Sequence, residues 1–381
     1  QVQQGWVNAN GFSFVFLDEA KPQPVMLLLD ESTRAYANPY GIAITPDGRR
    51  AFIACGGVDE VVVVDLPKAL ELVKRTPQEK RNRLRSKLSL SRQFLAARIP
   101  VGTNPYGLAA SPDGKRVYVA NHLGNSVSVL EVATHQVIAT ISVGSARAMS
   151  KLRRGEILFN SAALCFQRQF SCASCHPEGH TTGLSWDLED DGLGNPKNIR
   201  SFRGVQGTAP FRWQGEAAQI GANECGPTVT GAMRGSPLPP SDLEALAAYV
   251  EQMPLMPNPY RGPKGELSEA ARRGKAIFEG DAGCAECHTP GRFTSGERFA
   301  VGLGPGRPDD LELPGGETIA ADEFDVPQLL GVWDSPPYLH DGRARTLEEI
   351  FTRFNPDDEH GNTSDLTESQ LRDLIEYLKS L

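Results

Sequence analysis

The chain has 381 residues, 40% hydrophobic and 23% charged, with 39 Lys and Arg against 47 Asp and Glu for a net charge of −8. An acidic balance of mixed sign argues against nucleic acid as a partner, and no apolar run approaches the roughly 18 residues of a membrane span. The length suits two or three domains.

The chain opens on Gln1-Val2, without a methionine or a basic-then-apolar leader, as expected of a processed mature protein or of a fragment. Phe-Ser-Phe-Val-Phe-Leu at 12–17 reads as the end of a β unit. A longer segment then occurs twice, as Asn38-Pro-Tyr-Gly-Ile-Ala-Ile-Thr-Pro-Asp-Gly-Arg-Arg-Ala-Phe-Ile-Ala54 and as Asn104-Pro-Tyr-Gly-Leu-Ala-Ala-Ser-Pro-Asp-Gly-Lys-Arg-Val-Tyr-Val-Ala120. Each Pro-Asp-Gly is a tight turn between short strands, and an apolar strand follows each repeat. Between the repeats, residues 67–97 hold nine Lys or Arg against two Glu in a helical pattern. This insertion reads as a solvated helix, with a docking patch for an acidic redox partner as the alternative.

These repeats resemble the β-propeller repeat with a Tyr-Val-Thr-Asn-like signature, written here Tyr118-Val-Ala-Asn121. Residues 1–145 are therefore expected to be all-β partial propeller blades. Rings close with typically four to eight blades and only about two and a half are visible. Missing blades, completion by another subunit and direct docking on the following domains are the alternatives, and exposed blade edges favour the first.

Further on stand Cys172-Ala-Ser-Cys175-His176 and Cys284-Ala-Glu-Cys287-His288. In C-x-x-C-H two thiols reach the vinyl groups of one haem and the adjacent histidine reaches its iron. A zinc knuckle or a thioredoxin-like pair does not require that histidine. Two c-type haems are expected, and their attachment implies a periplasmic or other extracytoplasmic location. Of the remaining cysteines, Cys55 reads as a small buried hydrophobe, while Cys165 and Cys225 could be thiols or a disulfide.

The second part of the chain is itself duplicated. Arg154-Gly-Glu-Ile-Leu-Phe159 returns as Arg273-Gly-Lys-Ala-Ile-Phe278, and Thr208-Ala-Pro-Phe-Arg-Trp-Gln-Gly215 as Ser335-Pro-Pro-Tyr-Leu-His-Asp-Gly342. An amphipathic closing helix at 242–250 returns at 370–378. Two tandem, mainly α cytochrome c domains are expected at 146–258 and 259–381, joined by a Pro-rich linker at 253–263.

With these motifs, residues 150–381 resemble the bacterial dihaem cytochrome c peroxidase family, including its MauG branch. The resemblance implies a peroxide-reacting haem in the first half, an electron-transfer haem in the second and a calcium ion between them. For calcium it points to Asn198 and to the carbonyl oxygens around Ser335 and Pro337, with the acidic run Asp187, Asp190 and Asp191 as a further source. It also places Trp213 between the haems, where the alternative is a core aromatic.

The family's distal glutamate falls on Ala232, which cannot take part in acid–base chemistry; Glu224 is the substitute candidate. The family's sixth-ligand position in the second half falls on Phe354. No methionine follows Met256, so the donors left there are His340, His360 and tyrosines. The offset of 127 that carries Trp213 to His340 carries Met233 to His360, which makes Met233 and His360 candidate paired sixth ligands, with His340 the rival. His180, four residues from His176, suits a surface or propionate-binding role.

The expected function is that of a dihaem redox protein passing electrons between two covalent haems and on to peroxide or a bound substrate. The alternative is a non-catalytic electron-transfer and docking subunit with two six-coordinate haems. A small cytochrome, a cupredoxin or a larger complex would be the redox partner, and homo- or hetero-oligomers are open.

Overall fold

The computed structural model describes residues 8–19, 21–144, 148–187, 194–313 and 315–381. They form two compact units, one running to Ser174 and including Met233–Ser236, the other made of Cys175–Ala232 and Pro237–Leu381.

In the first unit, β1 (Gly11–Phe14) and β2 (Val25–Leu28) pair antiparallel. Each sequence repeat then builds one four-stranded antiparallel sheet with its strands in chain order. The first contains β3 (Pro39–Ile44), β4 (Arg50–Cys55), β5 (Glu60–Asp65) and, after helix α1 (Leu66–Arg75), β6 (Leu95–Pro100). The second contains β7 (Pro105–Ala110), β8 (Arg116–Asn121), β9 (Ser126–Glu131) and β10 (Gln136–Ser142). No closed ring of sheets forms among the described residues.

The Pro-Asp-Gly turns repeat atom for atom. Thr45 and Ser111 hydroxyls donate to Asp47 and Asp113 at 2.6 and 2.7 Å, and Gly48 and Gly114 both take the left-handed φ of 69° that a side chain would resist. The basic insertion is α-helical only over Leu66–Arg75 and continues as 3₁₀ turns over Gln78–Ser86 and Leu88–Gln93. Asp65 caps α1 by accepting the Lys68 N–H at 3.3 Å, and Ala69, Leu72 and Val73 are buried against Leu27, Tyr36 and Ile53, so one face of this helix is core.

The first sheet is covered on both faces. Ala51, Ile53, Val62 and Val64 enter the cluster with β2 and α1, while Phe52, Val61 and Val63 meet Val117, Val119 and Leu130 of the second sheet. Burying each such valine contributes about 1.5–3 kcal/mol. Among the described residues the second sheet has cover on one face only, and β10 is exposed along its whole length. After it come α2 (Lys151–Asn160) and α3 (Cys172–Cys175).

The second unit contains α4 (Gly226–Thr230), α5 (Pro240–Glu251), α6 (Glu269–Glu279), α7 (Cys284–Cys287), α8 (Leu347–Arg353) and α9 (Glu368–Lys379). Helices α6 and α9 cross through Gly274, and Arg273 grips Asp373 with two hydrogen bonds of 2.7 Å. Ser268 caps α6 and a Thr367–Gln370 capping box starts α9. Phe278, Leu374, Tyr377 and Leu378 join Leu347 and Ile350 in one core.

The duplication is visible in the backbone. The bridge Phe211–Ala217 returns as Tyr338–Ala344. Left-handed Arg212 and Gly215 (φ 69° and 67°) return as Leu339 and Gly342 (70° and 76°). At the same offset, Met233 and His360 each precede a left-handed residue, Arg234 (φ 50°) and Gly361 (φ 87°).

Candidate haem sites

The second C-x-x-C-H motif forms α7, one helical turn entered through left-handed Gly283 (φ 68°). The Nδ1–H of His288 donates to the Phe293 carbonyl at 3.0 Å, which leaves Nε2 as the lone-pair nitrogen. The His360 ring lies with its centroid 6.4 Å from that of His288, tilted by 41°. Burial lowers the pKa of His288 and pushes that of His360 down to about 4, so both rings are the neutral imidazoles that metals bind. The Nδ1 of His360 is buried without a hydrogen-bond partner among the described residues. Two imidazoles on one metal, with bonds of about 2 Å and about 1 Å more to each ring centre, stand about 6 Å apart. The spacing, the two cysteines and the unpartnered donor fit a c-type haem.

The His360 loop is held from one residue. Buried Asn355 accepts the His360 N–H at 2.8 Å and donates to the Gly361 carbonyl at 2.8 Å and to the Thr363 hydroxyl at 2.9 Å. Gly361 brings the loop to α7, where a Cβ on it would lie 3.1 Å from the Ala282 carbonyl and 3.7 Å from Cys284 Sγ.

At the first motif, α3 delivers Cys172 and Cys175 and is followed directly by His176. The His176 ring rests 4.0 Å from that of Phe202, its Nδ1 is buried and unpartnered among the described residues, and burial pushes its pKa down to about 4. Here too the donor set suits a haem. Met233 is buried in the first unit, where its carbonyl accepts the Phe166 N–H at 2.8 Å. Cys165 is a buried thiol whose pKa burial raises.

The rival His340 is also buried, stacked on Phe324 at 4.5 Å, with its pKa pushed to about 4 and its Nδ1 likewise unpartnered among the described residues. Phe354 lies partly buried beside the second core, with Arg353 5.0 Å over its ring. His180 is fully engaged, one ring nitrogen 3.1 Å from the Ser201 hydroxyl and the other 2.7 Å from the Asp334 carbonyl.

Trp213 donates its indole N–H to the Asn198 carbonyl at 2.8 Å, and the Arg200 guanidinium lies 5.2 Å over its ring. Arg200 also reaches Asp325, a carboxyl that burial pushes up to about 7. Glu224 is tied to Arg212 and to the Thr228 hydroxyl. Of the calcium candidates, Asn198 donates to the Pro337 carbonyl at 2.6 Å and keeps a buried Oδ1 without a partner among the described residues, whereas the Ser335 hydroxyl donates to the Val332 carbonyl at 3.3 Å. Asp187 accepts the Gly194 N–H at 2.8 Å; Asp190 and Asp191 lie outside the described residues. No group of three or more His, Cys, Asp or Glu side chains is arranged to hold a metal ion among the described residues, and no helix among them is long and apolar enough to cross a membrane.

Asn355 and Asp325 escaped the sequence reading. Neither stands in a motif, and their roles come from partners that only the fold brings near.

Hydrazine synthase subunit gamma of Kuenenia stuttgartiensis is 38% identical over 273 residues, 60% of this chain and 77% of that subunit. MauG of Methylorubrum extorquens is 25% identical over 280 residues, 61% of this chain and 78% of that protein. The chain belongs to the dihaem cytochrome c peroxidase/MauG family. Relatives in this family imply two c-type haems, and the donor sets at α3 and α7 are the ones that would fit them. A solved structure of K. stuttgartiensis hydrazine synthase under xenon pressure aligns with a TM-score of 0.54 at 32% identity, over 62% of this chain and 89% of that one. Hydrazine synthase subunit beta of the same organism is 35% identical over 133 residues, 35% of this chain and only 34% of that subunit. No protein-family model matches the chain.

Proposed function

We propose that this chain is a dihaem electron-transfer subunit of a hydrazine-synthase-type enzyme, joining counterparts of the beta and gamma subunits in one polypeptide. Two subunits of a single named enzyme resemble it, over 35% and 60% of its length. The redox role rests on one observation above all, the facing of the His288 and His360 imidazoles at 6.4 Å.

In this reading Cys284, Cys287, His288 and His360 would hold the second haem, and Cys172, Cys175 and His176 would hold the first. When bound, a c-type haem supplies a one-electron iron couple, and two imidazole ligands leave no open coordination position. The chain's own residues fix these two rings: the Phe293 carbonyl orients His288, and Asn355 holds the His360 loop. Ala232 at the family's distal-acid position argues against fast peroxide cleavage and for electron transfer. The two four-stranded sheets are read as consecutive propeller blades that dock the haem domains to the rest of the assembly, outside the cytoplasm.

An electron paramagnetic resonance spectrum of the oxidised holoprotein tests this reading. The second haem should give a low-spin bis-imidazole signal. Two high-spin haems and no such signal would overturn it.

A further inference from the structure

The segment leading into the first C-x-x-C-H is held by residues that flank the strands of the first unit. The Ala35 N–H donates to the Gln167 carbonyl at 3.0 Å, the Ala162 N–H to the Gly57 carbonyl at 2.8 Å, and the buried Asn10 side chain to the Gln169 carbonyl at 3.1 Å. These contacts fix the backbone up to Gln169. The next contact is made within the motif's own turn.

Asn38, the first residue of the repeated Asn-Pro-Tyr-Gly segment, is buried and left-handed (φ 55°). Its Nδ2 donates to the Ser171 hydroxyl at 2.7 Å, and its Oδ1 accepts a short hydrogen bond from the hydroxyl of Ser174, which stands between the two attachment cysteines. The Ser174 hydroxyl in turn accepts the Ser171 N–H at 2.9 Å, capping α3. One carboxamide thus binds both ends of the turn that presents Cys172 and Cys175. Asn104, its counterpart in the second repeat, has almost the same φ (54°), but its side chain donates to Gly56 and its own N–H to Asp59. At the second C-x-x-C-H, the corresponding turn begins at Gly283 with no side-chain cap.

We propose that Asn38 is a positioning residue for the first haem, through which the strand repeat sets the orientation of the α3 turn and so of the attached porphyrin. The inference rests on the assignment of Cys172 and Cys175 as attachment sites. A hydrogen-bonded clamp on the attachment turn is an outer-shell lever on ligand orientation and hence on potential and spectrum.

The test uses the full chain carrying both haems. Asn38→Gly and Asn104→Gly each delete one carboxamide at a left-handed position that glycine adopts without strain. Potentiometric titration and electron paramagnetic resonance are read for each haem, and the signals are assigned with a Cys172→Ala/Cys175→Ala variant. Asn38→Gly should shift the midpoint potential and g-values of the first haem alone, at two haems per chain, while Asn104→Gly leaves both haems as they are. Unchanged spectra in Asn38→Gly, or equal shifts in both variants, would overturn the proposal. Should Asn38→Gly fail to accumulate, Ser174→Ala removes a single hydroxyl of the same clamp, and the same one-haem shift is required of it. Fewer than two haems in the unmodified chain would instead sink the attachment assignment, and this inference with it.

Discussion

Gly274 of α6 faces Asp373 of α9 so closely that a Cβ on the glycine would lie 1.9 Å from the Asp373 carbonyl oxygen. The obstruction is backbone, which cannot swing aside as a flexible side chain can. Gly274→Ala must therefore push the helices apart and loosen the contact of Phe278 with Tyr377, whose rings meet edge to face at 5.3 Å. A loss of about 1–3 kcal/mol is expected, typical of overpacking. Urea unfolding of the holoprotein checks it, and an unchanged midpoint would show that the crossing has slack.

Replacing both Cys172 and Cys175 by alanine should halve the covalent haem that survives acid–acetone extraction, because two thioethers fix each porphyrin. Two haems retained in that variant would contradict attachment at α3.

His360→Ala should convert the second haem from low spin to a high-spin or five-coordinate form, because it removes the ring 6.4 Å from His288. His340→Ala should leave the spin state alone, since that ring is stacked on Phe324. The opposite pair of results would transfer the ligand role to His340.

Asp30 gives the fold a pH dependence of known sign. It is fully buried, accepts the N–H groups of Asn10 and Tyr36, and burial pushes its pKa from 3.8 up to about 7. A carboxyl whose folded pKa exceeds its unfolded one favours folding fully below the unfolded value and loses that contribution as pH rises through the folded value. Stability should therefore fall between about pH 4 and pH 7, by up to about 4 kcal/mol for a shift of this size. Asp325, also pushed up to about 7, adds a slope of the same sign, so in unfolding titrations Asp30→Asn should reduce the difference in stability between pH 5 and pH 8 without abolishing it; an unchanged difference would show that Asp30 does not contribute.

Hydrogen peroxide should oxidise the prereduced protein slowly, because Ala232 offers no proton donor. Stopped-flow absorbance follows the reaction. Fast turnover would assign the acid role elsewhere, with Glu224 the first residue to replace.

What a sequence can disclose here depends on how local the constraint is. Cys172 to His176 and Cys284 to His288 are legible because thioether geometry acts within five consecutive residues. The facing of His288 and His360 is not local, and the pointer to it was the duplication that aligns Met233 with His360. The repeated Asn-Pro-Tyr-Gly is plain in the sequence, but the left-handed φ of Asn38 is not, since a residue before proline is biased to extended backbone, and its partner Ser171 lies 133 residues away. Asn355 is equally silent, a polar residue before a proline whose work is done by hydrogen bonds to a loop. The basic insertion read as a solvated helix because charge dominates it, whereas Ala69, Leu72 and Val73 put one side of α1 in the core.

The first sheet is enclosed on both faces and the second on one, so two segments of nearly the same wording are under different selection. Phe52 is wholly buried, while its counterpart Tyr118 is 37% exposed. Val62 sits among hydrocarbon, while its counterpart Ser128, equally buried, is tolerated because its hydroxyl accepts from the Asn121 side chain at 2.9 Å. A polar change tolerated in the second repeat would strand an unpaired group in the first, at about 1–3 kcal/mol. Drift between the two copies should thus be lopsided: the open face of the outer repeat is free to accumulate hydroxyls and amides, and both faces of the inner one must stay aliphatic or pair every polar group.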